Sequence, residues 1–271
     1  MLEVSSRRRS LPDMDIGIKS KVALVTGGSQ GIGRAVAEQL AAEGAKVALT
    51  YHTRAELAEA VVARITSAGG EALALPMSLD DATTAIAAVH ATIARWGSID
   101  ILVNNAVMWS ERMPSDMPKF EDVPLADWQR IFRGNFESAY AAIQAALPSM
   151  RASGFGRIVN VSSGVALDGV SGAGPYGAAK AGLHGLTSVL ARELGAAGIL
   201  VNVVVPGVTL TERMAAAIPP EIQKQRAAGY PIKRLLPPEE IAPTVVFLCS
   251  ALNTAVTGEI VRASGGRPYP Y

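Results

Sequence analysis

The chain has a single cysteine, Cys249, in 271 residues. That excludes an intrachain disulfide and a cysteine-rich zinc site. It also lacks a charge surplus: 25 Lys and Arg stand against 24 Asp and Glu, for a net charge of +1. A nucleic-acid-binding face needs clustered basic charge, so no nucleic-acid partner is expected. The three histidines, His52, His90 and His184, share no catalytic or metal-ligating spacing, and no metal site is expected. His90 and His184 read as structural. No run reaches the ~18 apolar residues of a membrane span. The longest stretch, Ile199 to Val208, is interrupted by Asn202 and Pro206. Arg7, Arg8 and Arg9 are followed by Pro12, Asp13 and Asp15, not by the ~7–15 apolar residues of a signal peptide. Residues 1–19 read as a flexible, solvated arm, and a cytoplasmic protein with no membrane partner is expected.

Apolar residues are plentiful. They form 49% of the chain against 18% charged, enough for a large core and too many for a disordered chain. Short apolar runs at Val22 to Val25, Lys46 to Thr50, Glu71 to Leu75, Ile99 to Val103, Arg157 to Val161, Leu200 to Val205 and Glu259 to Ala263 predict seven strands. Most do not alternate with polar residues, as expected for a mostly parallel sheet covered on both faces. Between them, apolar residues recur every three or four positions in Gly31 to Glu43, Glu56 to Ser67, Ala82 to Trp96, Leu125 to Met150, Tyr176 to Ala196 and Glu239 to Leu252. Gly44, Gly69, Gly97 and Gly154 stand where helix C-caps belong. Strand and helix in alternation imply right-handed crossovers and one α/β domain, residues 20–271, with a Rossmann-type doubly wound sheet.

Thr26-Gly27-Gly28-Ser29-Gln30-Gly31-Ile32-Gly33 follows the first strand and opens the first helix. Glycines let the backbone turn tightly and let a pyrophosphate approach it, and the helix N-terminus offers free N–H groups to that anion. A dinucleotide is therefore the expected cofactor. Some 20 residues on, where a ribose-binding acid would select NAD, stand Tyr51, His52, Thr53 and Arg54. With no carboxylate and a nearby guanidinium, the position favours NADP(H), with NAD(H) as the alternative.

Tyr176 and Lys180 lie four residues apart at the start of a predicted helix, on one face of it. Ser163 ends the fifth strand, on the side where open α/β sheets bind ligands. A phenol has a reference pKa of about 10, too high for neutral acid–base work. An ammonium at ~4 Å would favour phenolate by on the order of 4 kcal/mol before desolvation, which predicts a Tyr176 pKa pulled toward neutrality. The Ser163 hydroxyl could hold a substrate oxygen.

Taken together, these motifs resemble the short-chain dehydrogenase/reductase family, nearest to its 3-oxoacyl-acyl-carrier-protein reductase-like members. The likeness runs from Lys21 to Gly266. Thr26 to Gly33 resembles the family's TGxxxGIG turn, and Asn104-Asn105-Ala106 its NNAG segment. Asn135 in Gly134-Asn135-Phe136 falls at the family's catalytic Asn, and Ser163, Tyr176 and Lys180 at its Ser-Tyr-Lys set. Pro206-Gly207-Val208-Thr209-Leu210-Thr211 resembles its PGxxxT segment beside the nicotinamide. Pro238 to Ala242 and Val256 to Gly258 match later landmarks. The resemblance implies hydride transfer between a nicotinamide and a ketone or secondary alcohol. In it Tyr176 serves as general acid/base, and Lys180 lowers the Tyr176 pKa and bonds the ribose. Ser163 positions the substrate oxygen, and Asn135 holds a water chain to Lys180. It further implies a homotetramer, or homodimer, formed through the helices at 125–150 and 176–196. A 3-oxoacyl thioester or similar small carbonyl is the expected substrate. The alternatives are an NAD(H)-linked secondary alcohol, sugar or steroid dehydrogenase, and a catalytically retired nucleotide-binding regulator.

The chain departs from the family pattern in places. Val107 replaces the last Gly of NNAG and adds bulk beside the cofactor. Met77 stands where the family usually has an Asp for the adenine amino group. Ser78 is expected to substitute through its backbone, with Asp80 as a second candidate. Leu200 and Ser264 replace a usual Arg and a frequent Asp or Asn. Residues 109–122, with Trp109, form a longer loop that either borders the substrate or lies on the surface. Residues 219–234 read as a mobile lid.

Overall fold

The computed structural model describes residues 14–109 and 118–266. The Arg7–Arg9 triplet and the middle of the 109–122 loop lie outside the described residues.

Seven strands form one sheet: β1 (Val22–Val25), β2 (Lys46–Tyr51), β3 (Glu71–Pro76), β4 (Ile101–Asn104), β5 (Gly156–Val161), β6 (Ile199–Pro206) and β7 (Ile260–Ala263). Their order is β3-β2-β1-β4-β5-β6-β7, and every pairing is parallel. The expectation of mostly parallel strands thus becomes wholly parallel. The chain moves outward from β1 through β2 to β3, then returns to pair β4 on the other side of β1. That reversal opens a crevice at the C-terminal ends of β1 and β4.

Side chains alternate across the sheet and feed two cores. Val25, Val47, Leu49 and Val103 point to one face. There they meet Val36 and Leu40 of α1 (Gly31–Ala42), Val61 of α2 (Ala55–Ser67), and Ile241 and Val245 of α9 (Pro238–Cys249). Leu24, Ala48, Leu102 and Ile158 point to the other. They pack on Val89 of α3 (Thr83–Trp96), Ile143 and Ala146 of α4 (Leu125–Ser153), and Leu190 of α6 (Gly174–Leu194). With helices on both faces, β1, β4 and β5 are buried along their whole length, which is why β1 reads as an unbroken apolar run and β4 and β5 as mostly apolar ones. Gly44, Gly69, Gly97 and Gly154 all take positive φ where their helices end.

Three short helices were not legible: α5 (Val165–Asp168), α7 (Glu212–Ala217) and α8 (Pro220–Gly229). Most of the predicted lid is therefore helical. The solvated reading of residues 1–19 does not extend to Ile16 and Ile18. Ile18 is fully buried, and the Ile16 carbonyl accepts from the Ala251 N–H at 2.9 Å. Among the described residues, no helix is long and apolar enough to cross a membrane.

Candidate active site

The turn after β1 is folded tightly on itself. Gly27 and Gly31 take φ of +65° and +56°, a region open chiefly to glycine. A Cβ on Gly33 would lie 2.2 Å from the Gly27 carbonyl oxygen and 2.4 Å from Asn105 Nδ2. Asn105 clamps the turn, its Nδ2 donating to the carbonyls of Thr26 (2.9 Å) and Gly27 (3.1 Å). Thr26 Oγ1 accepts from the N–H groups of Asn105 (2.9 Å) and Ala106 (3.0 Å), and Thr50 Oγ1 accepts from Gly27 N–H (2.9 Å). Thr26 and Thr50 were not nominated as site residues. Their signal is a hydroxyl at the C-terminal end of a buried strand, where only the backbone of a neighbouring turn can satisfy it.

At the start of α1 the N-cap residue, Gln30, makes no side-chain capping bond, which leaves the first-turn amides for another acceptor. A glycine cradle beside open helix amides fits a pyrophosphate. Ser29 and Ile32 flank it. Thr211, the N-cap of α7, comes from across the crevice, with Cγ2 3.1 Å from where a Gly31 Cβ would be.

Past β2, Tyr51 is half-buried while His52, Thr53 and Arg54 are exposed. Arg54 Nη2 donates to Gln30 Oε1 at 2.5 Å, so the guanidinium reaches from the end of β2 to the glycine turn. Met77 is buried, with its sulfur 3.6 Å from Thr50 Oγ1. The Ser78 backbone is already committed. Its N–H donates to Thr84 Oγ1 (2.9 Å), and its carbonyl accepts from Thr84 Oγ1 (2.9 Å) and Asp81 N–H (3.3 Å). Asp80 is paired with Arg130. Neither therefore takes over readily from the missing Asp.

The sheet brings the other nominated residues to the same edge. Ser163 follows β5, and its Oγ accepts from Val165 N–H at 3.2 Å while lying close enough to the Tyr176 phenol to favour its ionised form. Lys180, one turn along α6, is 2% exposed. Its Nζ donates to the Val161 carbonyl at 2.9 Å and lies 5.9 Å from the Tyr176 ring centroid. Asn135, buried in α4, uses its amide on protein. Nδ2 donates to the carbonyls of Met108 (2.7 Å) and Ile131 (2.9 Å), and Oδ1 accepts from Met108 N–H (3.1 Å). This fixes the backbone at Met108 and delivers Trp109 onto Tyr176, ring centroids 4.1 Å apart and planes 24° apart. Trp109 thus lies against the nominated phenol, at the start of a loop whose middle is outside the described residues. Past Pro206 and Gly207, Val208 N–H donates to Tyr230 Oη at 3.0 Å, and Thr209 Oγ1 donates to the Gly207 carbonyl at 3.1 Å. His184 bonds Ser162 Oγ through Nε2 at 2.7 Å.

The expected drop in the Tyr176 pKa is not found. Burial, opposed only by the nearby Ser163 hydroxyl, pushes the phenol up to about 12. Burial also pushes Lys180 down to about 8. The expectation counted attraction before desolvation. Here the ammonium is turned to Val161 and the phenol is covered by an indole, so desolvation decides the sign.

A family profile described as Enoyl-(Acyl carrier protein) reductase matches residues 27–267. The chain is 38% identical over 247 residues to a "3-oxoacyl-[acyl-carrier-protein] reductase FabG" of Staphylococcus aureus, covering 91% of this chain and 98% of that one. The FabG of Aquifex aeolicus is likewise 38% identical over 254 residues, 93% and 99% of the two chains. Among solved structures, a short-chain dehydrogenase/reductase from Serratia marcescens aligns with a TM-score of 0.84 at 37% identity, covering 92% of this chain and 98% of that one. A short chain dehydrogenase from Burkholderia cenocepacia in complex with NADP aligns with a TM-score of 0.81 at 36% identity, over the same shares.

Proposed function

The chain belongs to the short-chain dehydrogenase/reductase family of NAD(P)-dependent oxidoreductases, and from that premise we propose that it prefers NADP(H) and interconverts a ketone and a secondary alcohol. The observation that carries the reading is the meeting of Ser163, Tyr176 and Lys180 with the glycine cradle at one end of a parallel sheet. When bound, the dinucleotide supplies or accepts the hydride. Gly27 to Gly33 and Thr211 would hold its pyrophosphate, with Asn105 and Ala106 bordering it and Pro206 to Thr209 beside the nicotinamide. Ser163 Oγ holds the substrate oxygen next to the phenol. Tyr176 Oη, kept protonated by burial, gives its proton to that oxygen during reduction. Lys180 bonds the ribose and carries positive charge near the phenol. The leading substrate is a 3-oxoacyl thioester or similar small carbonyl. The protein works in the cytoplasm as a homotetramer. Tyr140 on α4 and Val189 on α6, both about half exposed, suit subunit contacts.

Two variants test the reading. Arg54→Ala should weaken NADPH binding about 10- to 100-fold, the worth of a charge-assisted hydrogen bond to phosphate, and leave NADH binding unchanged. Fluorescence titration with each cofactor measures this, and equal losses would remove Arg54 from phosphate recognition. Trp109→Ala should uncover the phenol and raise kcat/KM for branched ketones relative to a linear one by about tenfold. An unchanged ratio would mean that the indole does not bound the substrate.

A further inference from the structure

Helix α8 is largely exposed along its length, but Gly229 and Tyr230, where it ends, are buried. Tyr230 is 6% exposed, and a phenol that deep is normally hydrogen-bonded. Its Oη accepts from Val208 N–H at 3.0 Å, in the segment that follows β6. Gly207 leaves room for the ring. A Cβ there would lie 3.1 Å from the phenol oxygen, 3.2 Å from Tyr230 Cε1 and 2.9 Å from Ser264 Cβ.

A second tether lies farther along. The Leu236 carbonyl accepts from Leu210 N–H at 2.8 Å, and Thr209 pairs with Leu236 as a parallel bridge. The chain returning from the lid, 230–236, is thus fastened to 208–210 at both ends. The two fastenings differ in kind. The Leu236 bond uses a backbone carbonyl, which any residue there would offer. The Tyr230 bond needs a phenol oxygen, so it depends on the identity of this side chain.

We propose that Tyr230 is a positioning residue for the nicotinamide. Its phenol pins the Val208 amide and with it the 207–209 backbone, so the lid and the segment beside the nicotinamide move as one unit. The inference rests on the reading that places the nicotinamide beside Pro206 to Thr209. Tyr230 acts through that backbone and touches neither cofactor nor substrate. It sets where the nicotinamide stands relative to Tyr176, and a misplacement of ~1 Å in a reacting group can cost about 100-fold in rate.

Tyr230→Phe keeps the ring beside Gly207 and loses only the oxygen that holds Val208 N–H. Titration with two probes reads the effect: NADPH, and 2′-phospho-ADP-ribose, which has the same adenine, 2′-phosphate and pyrophosphate but no nicotinamide. NADPH binding should weaken about fivefold, the worth of one neutral hydrogen bond, and fragment binding should not change. For ketone reduction kcat should fall about tenfold, with the KM for the ketone near its wild-type value. A role in packing alone would lower the melting temperature and shift both probes together or neither. Equal losses for the two probes, or no loss for either, overturn the proposal. In the free protein, amide hydrogen exchange at 207–211 should quicken in the variant while 27–33 keep their rates. Unchanged exchange at 207–211 overturns the pin whether or not a cofactor binds. A wild-type protein that binds neither probe rejects the dinucleotide reading, and faster exchange at 207–211 in the variant then still upholds the link between lid and loop.

Discussion

Tyr176→Phe should lower ketone reduction by about 10²–10⁴-fold, the usual contribution of a positioned proton donor, and leave NADPH binding intact. Phenylalanine keeps the ring that stacks on Trp109 and removes only the hydroxyl that meets Ser163. The fold and the glycine cradle are untouched by that change, so the loss should fall on kcat and not on cofactor affinity. The ionisation of the phenol adds a pH dependence. Burial pushes it up to about 12, so the free enzyme carries the proton throughout the neutral range. Reduction, which takes that proton, should run freely at pH 7. Alcohol oxidation, which needs the phenol to accept one, should accelerate as pH rises. Steady-state rates of both directions from pH 6 to 10 measure this. Wild-type-like turnover in Tyr176→Phe would remove the residue from its role.

Lys180→Met should abolish most of the activity and at the same time stabilise the fold. Lys180 is fully buried with one hydrogen bond to the Val161 carbonyl, and burial pushes it down to about 8 from 10.5. Its folded value lies below its unfolded value, so the unfolded chain binds more protons between pH 8 and 10.5. Holding the ammonium therefore costs stability in full below pH 8, and that cost fades as pH rises through this window. At 1.36 kcal/mol per pKa unit the cost is about 3 kcal/mol. Met has a similar volume and no charge. After allowing about 1 kcal/mol for the lost hydrogen bond, the variant should gain about 2 kcal/mol at pH 7. Urea unfolding at pH 7 and pH 10 reads both effects: the variant should lead clearly at pH 7, and its advantage should shrink at pH 10. A destabilised variant at pH 7 would contradict the account of a buried, costly charge. Such a cost is what a site retains for chemistry and not for folding.

The sheet was legible because both of its faces are covered. Val22 to Val25 is an unbroken apolar run for that reason, Arg157 to Val161 is mostly apolar, and Gly44, Gly69, Gly97 and Gly154 close intervening helices. The glycine turn was legible because its backbone needs positive φ at Gly27 and Gly31, which few other residues accept. The short helices α7 and α8 were not, since their faces are mostly exposed and carry no apolar stripe. Trp109 could be named as a neighbour of the site but not placed. Its position follows from the Asn135 clamp on Met108, a contact between residues 27 apart. The sign of the Tyr176 shift was misread because spacing gives the distance to a charge and says nothing of burial. Thr26, Thr50 and Tyr230 act through partners in other elements, and only the folded chain brings those together.

The central claim is that this protein reduces a ketone with NADPH through Tyr176. The direct measurement follows absorbance at 340 nm for the purified protein with NADPH or NADH and an acetoacetyl thioester, backed by a panel of small ketones, beside the Tyr176→Phe variant. The account predicts faster loss of absorbance with NADPH than with NADH, and none in the variant. No loss with either cofactor across the panel, or equal loss in the variant, would contradict it.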